Sequence, residues 1–137
     1  MRISDSQTRP LASGLGLGTV AFGVLPLTLP TAFAALFGFP ARDPATLSMV
    51  RSLGLRDLVM GLGLWSAAAH GGNYAPWLLA RTLTDGGDTL ALALAAAQGQ
   101  RHPRLLALGA IALAATAGDL ALYLTARRAH RARERRS

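Results

Sequence analysis

The segment Arg81-Thr82-Leu83-Thr84-Asp85-Gly86-Gly87-Asp88 places three ionisable side chains inside an apolar run that extends from 74 to about 98. At about 100° per residue, Arg81, Asp85 and Asp88 share one stripe of a helix with Trp77, Thr84 and Leu92. Neighbouring apolar runs contribute Arg51, Arg56 and Asp57, and then Asp119. Carboxyls gathered beside arginines suit general acid/base work, because a protonated carboxyl donates while an ionised neighbour accepts. The runs hold three arginines and four aspartates, so full ionisation leaves one carboxylate without a partner. Burial without a partner favours a carboxyl that keeps its proton. The candidate catalytic residues are therefore Arg56, Asp57, Arg81, Asp85, Asp88 and Asp119. Arg51 is the weakest member, because near a helix end its long side chain can reach an interface.

Such a set suits cyclisation, isomerisation or epoxide opening of a lipophilic small molecule, reactions that need no cofactor. The alternative is a small transport or binding module, in which the same charges carry a proton or hold an anionic ligand. A third reading makes the charges structural, holding glycine- and alanine-rich helices in register. Polar contacts between membrane helices average only about 0.6 kcal/mol, so seven charges are a costly device for packing alone. Asp85 and Asp88, three residues apart, could hold Mg²⁺ with a diphosphate. Membrane enzymes that transfer prenyl groups carry two acidic clusters, and this chain has one. His70, His102 and His130 fall in separate loops or the tail, so no metal site is expected.

The elements that must position these residues are apolar. Hydrophobic residues make up 51% of the 137 residues, and the mean hydropathy is +0.33. They gather in four runs, at about 11–39, 44–69, 74–98 and 104–126, each long enough to cross a ~30 Å hydrocarbon core. A water-soluble bundle needs a polar stripe on every helix, and the run from Leu105 to Ala115 has none. The expected fold is all-α: an integral membrane four-helix bundle with antiparallel up-down topology, residues 1–126, followed by a basic cytoplasmic tail at 127–137. A charged side chain at mid-membrane costs roughly 2.5–3.5 kcal/mol, which is why the buried charges count as a candidate site.

Punctuation sets the boundaries. Pro26 and Pro30 should kink or end the first helix and leave Thr31–Phe39 as a short second piece. Asp43 should cap the next helix with Pro44 at its first position, and Gly71 and Gly99 should terminate the second and third spans. Asn73 is placed to cap the third span, and Arg104 to open the fourth. Gly14 and Gly18 form a small-xxx-small face for close helix approach, and Gly54 and Gly61 offer another. Trp65, Trp77, Tyr74 and Tyr123 fit interfacial positions, and Trp77 could also line a pocket on the Arg81 face. From the 1.5 Å rise per residue, Arg81 lies roughly 10 Å deep, and Arg56 and Asp57 roughly 20 Å deep from the opposite face. The depths suggest pairs of Arg81 with Asp119, Arg56 with Asp85, and Arg51 with Asp88.

The net charge of +7 comes nearly all from Arg127, Arg128, Arg131, Arg133, Arg135 and Arg136. With Arg2 and Arg9 they outnumber Arg42, Arg101 and Arg104 on the other side, so both termini are expected in the cytoplasm. Membrane lipids are the expected partners, through anionic headgroups; nucleic acid is not, and self-association is left open. Pairing through disulfides is excluded by the lack of cysteine. Met1–Pro10 with the apolar run after it has some signal-peptide character, but the run exceeds the usual 7–15 residues, so a retained helix is expected.

Val50-Arg51-Ser52-Leu53-Gly54-Leu55-Arg56-Asp57-Leu58-Val59-Met60-Gly61-Leu62, together with Arg81-Thr82-Leu83 and Gly87-Asp88, resembles the small four-helix integral membrane proteins of domain of unknown function 4267. The resemblance spans the second to fourth helices and leaves out the tail. It implies a four-helix membrane protein in which the Gly-x-Arg-Asp and Arg…Gly-Asp segments face each other, and it implies no activity.

Overall fold

The computed structural model describes residues 5–38, 41 and 43–134; Arg42, Phe39 and the last tail arginines lie outside them. The fold is all-α, with five helices and no strand among the described residues. Helix α1 (Asp5–Thr28) and helix α2 (Pro30–Leu36) are separated by one residue. Leu29 has φ −128° and ψ 56°, because a residue that precedes proline is pushed out of the helical region. The break therefore falls where Pro30 was expected to place it.

Helix α3 (Pro44–Ala69) opens on a complete cap. Thr46 N–H donates to Asp43 Oδ1 at 2.9 Å, and the Thr46 hydroxyl donates to Oδ2 at 2.6 Å. These two bonds hold the Asp43 carboxyl below its ordinary 3.8. A carboxyl with a lowered folded-state pKa contributes stability that is complete above the unfolded value and fades as pH falls through the lowered one. The protection of the Thr46 amide, the factor by which its exchange is slowed relative to the intrinsic rate at the same pH, is thus expected to be high at neutral pH and to fall selectively below about pH 4; protection that keeps its neutral-pH value there would contradict the cap's role.

Gly71 and Gly99 take φ of +79° and +97° just past the ends of α3 and of α4 (Ala75–Ala97), the backbone state that glycine enters without a Cβ penalty. Asn73 Oδ1 accepts from Ala75 N–H at 3.1 Å, although Tyr74 occupies the cap position itself. Helix α5 (Pro103–Glu134) starts one residue before Arg104 and continues through most of the basic segment, so the tail is largely an extension of the last helix.

Two helix pairs dominate the packing, α1 with α3 and α4 with α5. The α1–α3 contact is backbone against backbone. A Cβ on Gly61 would lie 2.7 Å from the Gly16 carbonyl oxygen, and one on Gly54 would lie 2.6 Å from that of Gly23. Gly54 and Gly61 thus pack as expected, but their partners are Gly16 and Gly23. Gly14 and Gly18 have no atom within 4 Å of a Cβ, so the expected approach face is corrected. Gly14 and Gly18 point nearly opposite to Gly16 around the helix, and of the three only Gly16, together with Gly23, meets α3.

At one end, Ala12 of α1, Leu64 and Ala68 of α3, Tyr74 and Leu78 of α4, and Ala126 of α5 form a single buried cluster. Beyond it the pairs diverge, and α1 and α5 touch only sparsely. The distribution of polarity is inverted relative to a water-soluble protein. Thr8, Thr19, Asp57, Arg81 and Asp119 are buried, whereas Leu11, Met49, Leu83, Leu90, Ile111 and Leu113 are exposed. Two stretches, Gln7–Thr28 and Pro103–Ala129, are long and apolar enough to cross a membrane.

Candidate functional site

The space between the two helix pairs is a cavity of about 590 Å³. Its walls are apolar, formed by Leu15, Phe22, Phe33, Leu53, Leu92, Leu108 and Ile111 among others, and Arg56, Asp57, Arg81, Asp85 and Asp88 reach it from α3 and α4. Two arginine centres organise the charges.

The deeper centre is Arg81. Its Nε donates to Asp119 Oδ2 at 3.1 Å, its Nη2 lies 3.4 Å from Asp85 Oδ2, and its Nη1 donates to the Thr19 hydroxyl. Asp119 is only 2% exposed and sits behind Arg81, outside the cavity lining. The Arg81–Asp119 pair matches the depth expectation. Thr19 in turn donates to the Leu15 carbonyl at 2.8 Å. Sequence reasoning missed Thr19, yet a signal existed: it is the lone polar side chain between Ser13 and Thr28 in the first apolar run.

The outer centre is Arg56. Nη1 and Nη2 donate to the two oxygens of Asp88 at 3.1 and 2.8 Å, and Nε donates to Asp57 Oδ1 at 3.0 Å. The two-pronged pair is the strong geometry for guanidinium and carboxylate. The expected partner of Arg56 was Asp85, one turn away; Asp88 takes that place, and Asp85 turns to Arg81. Arg51 is exposed and does not line the cavity, so the expected pair with Asp88 is also corrected. Its departure changes the count, since two guanidiniums now face four carboxyls. Asp85 and Asp119 lie close together on the same guanidinium.

The aromatic residues behave differently from expectation. The Trp77 ring covers Gly63 and is absent from the cavity wall. Tyr74 is buried rather than interfacial: its hydroxyl is 2.7 Å from that of Thr8, and the Arg9 guanidinium stacks 5.1 Å from its ring centroid. Arg9 also donates to the carbonyls of Ala67, Ala68 and Gly72 at the end of α3. That network satisfies helix-end carbonyls and closes the end of the structure away from the cavity.

In chemical terms, the carboxyl on the cavity held least tightly by an arginine is Asp85. It has the longest of the ion pairs, whereas both oxygens of Asp88 are occupied by Arg56. Asp57 offers its Oδ2 beside Arg56, which holds only Oδ1.

No curated protein and no solved structure matches the chain. A family model does, over residues 16–135. The match takes in the second half of α1 and the basic end of α5 as well as the helices that carry the motifs. The chain belongs to the family of domain of unknown function 4267 (DUF4267).

Proposed function

We propose that this chain is a multi-pass membrane protein of four antiparallel spans whose cavity binds a lipophilic small molecule and performs acid–base chemistry on it. In this reading α1 with α2 forms the first span and α3, α4 and α5 form the others, with residues 1–126 in the bundle. Both termini and the basic end at 127–137 lie on the cytoplasmic side of the cell membrane. The outward leucines and inward charges support it, because lipid accepts the former and only a protein interior accepts the latter.

One observation carries the functional part: a 590 Å³ cavity with apolar walls and carboxyls grouped on one side. Sites for small ligands typically measure about 300–1,000 Å³ and combine apolar walls with a few convergent polar groups. Asp85 is assigned as the group that gives or takes a proton, and Asp57 as its counterpart. Arg56 and Asp88 position Asp57, and Arg81 with Asp119 positions Asp85. A proton given at one carboxyl and taken at the other isomerises or cyclises a substrate without changing its composition, and such a step requires no cofactor. Conduction through the bundle is the weaker reading, because the cluster of Ala12, Leu64, Ala68 and Leu78 fills one end.

The test is Asp85→Asn. Membranes containing the wild-type chain, incubated with a total lipid extract, are expected to yield an isomer of an extract component, resolved by chromatography and mass spectrometry. Asp85→Asn is expected to fold normally and lose about 10²–10⁴ of that rate. If Asp85→Asn instead fails to fold, or keeps full activity, the acid–base assignment is wrong.

A further inference from the structure

Among the described residues, the charged groups that face the cavity come from two helices only. Helix α3 supplies Arg56 and Asp57, and α4 supplies Arg81, Asp85 and Asp88. Helix α1 adds the Thr19 hydroxyl, α2 adds only Phe33, and α5 places Asp119 behind Arg81. All three nitrogens of each guanidinium are already directed at protein oxygens: Arg56 at Asp57 and Asp88, Arg81 at Thr19, Asp85 and Asp119. An anionic ligand would therefore meet no uncommitted cation. What remains to face an occupant is carboxyl oxygen, against apolar walls where an uncompensated charge is costly.

Resting on the reading that the cavity binds a ligand, we infer that its occupant carries a cationic head, a lipophilic amine, set among Asp57 and Asp85 with its chain along the apolar wall. The wall has a side exit. Helices α1 and α5 meet where Ala12 joins Ala126 in the buried cluster, and α5 returns to α2 where Arg104 Nη1 donates to the Ala35 carbonyl at 3.3 Å. Between those contacts Gly14 and Gly18 on α1 leave open space, and Ile111 on α5 is 63% exposed while still lining the cavity. The alkyl chain lies toward this gap, which faces the side of the bundle rather than either end. A positive charge is also what a proton-initiated reaction generates on a substrate, so the same carboxyls serve binding and the proposed chemistry.

The experiment uses the full chain in an uncharged maltoside detergent at pH 7, with thermal unfolding read in decylamine, decanol or decanoate at matched concentrations. Decylamine is expected to raise the melting temperature by about 5 °C near saturation, decanol to raise it less, and decanoate not to raise it. Gly18→Phe, whose side chain enters open space, is expected to melt like the wild type and to abolish the decylamine shift; Gly14→Phe serves the same purpose if Gly18→Phe does not fold. Equal shifts with decanol and decylamine, both lost in Gly18→Phe, would overturn the cationic head and leave the ligand cavity standing. A shift with decanoate that equals or exceeds that with decylamine overturns the head in the same way. A decylamine shift that survives in both phenylalanine variants overturns head and cavity together, and no shift with decylamine overturns the inference.

Discussion

Replacing Arg81 with methionine is expected to destabilise the chain by about 3–5 kcal/mol, the usual cost of removing one partner of a buried ion pair. The magnitude follows from what Arg81 holds. Asp119, 2% exposed, loses the Nε donor at 3.1 Å, Asp85 loses the contact at 3.4 Å, and Thr19 on α1 loses its link to α4. The variant leaves a carboxylate buried in an alanine- and leucine-rich helix with its guanidinium partner gone. Methionine keeps most of the side-chain volume, so the loss reads charge rather than a cavity. The decisive companion is the double variant Arg81→Met/Asp119→Leu. Removing both members by apolar groups is often neutral or stabilising, so the double variant is expected to recover most of the lost stability. Thermal melting in detergent, together with membrane-inserted yield, measures both. If Arg81→Met melted like the wild type, Arg81 would not be the centre that ties α1, α4 and α5 together. If the double variant were no better than the single one, the cost would lie in packing and not in the unpaired carboxylate.

The helix ends were legible because each carries a residue with one dominant physical preference: Pro30 after Leu29, Asp43 before Pro44, Gly71 and Gly99 at positive φ. The Arg81–Asp119 pair was legible from depth alone, since Arg81 is placed by where its helix begins and Asp119 by where its apolar run ends near Ala126. Arg56 was misassigned by three residues, about 4.5 Å of helix rise, because the register of α3 is set by its glycine contacts with α1 and not by where the span starts. Those contacts did have a sequence signature. Gly54 and Gly61 are seven apart, two helical turns, and on the first helix only Gly16 and Gly23 share that spacing. Gly14 and Gly18 satisfy a shorter motif but have no partner of equal spacing. The Thr19 contact needed the same register before its hydroxyl could be placed beside Arg81. The cavity had no sequence signature, because its volume depends on how far two helix pairs diverge, and no residue pattern encodes a gap directly.

The two glycine faces of α1 separate holding the fold from shaping the site, and leucine substitutions should expose that division. Gly61→Leu is expected to disrupt the fold. Its Cβ would lie 2.7 Å from both the Gly16 carbonyl oxygen and the Val20 nitrogen, and these are backbone atoms of an opposing helix, which cannot rotate away as a side chain does. Overpacking that only shifts side chains typically costs about 1–3 kcal/mol; forcing α1 off α3 along its length should exceed that range and lower inserted yield. Gly18→Leu adds the same side chain to the same helix pair's other member, but its Cβ meets nothing within 4 Å. Leucine also replaces glycine at a helix interior, a change worth up to about 1 kcal/mol in its favour. The variant is therefore expected to melt at or above the wild-type temperature. Its side chain nevertheless enters the 590 Å³ cavity that Gly18 lines, so ligand binding and turnover should fall while stability does not. Thermal melting of the two variants side by side decides the matter. If Gly18→Leu unfolded and Gly61→Leu did not, α1 would pack on its neighbours through the opposite face, and the gap between α1 and α5 would be a contact rather than an opening.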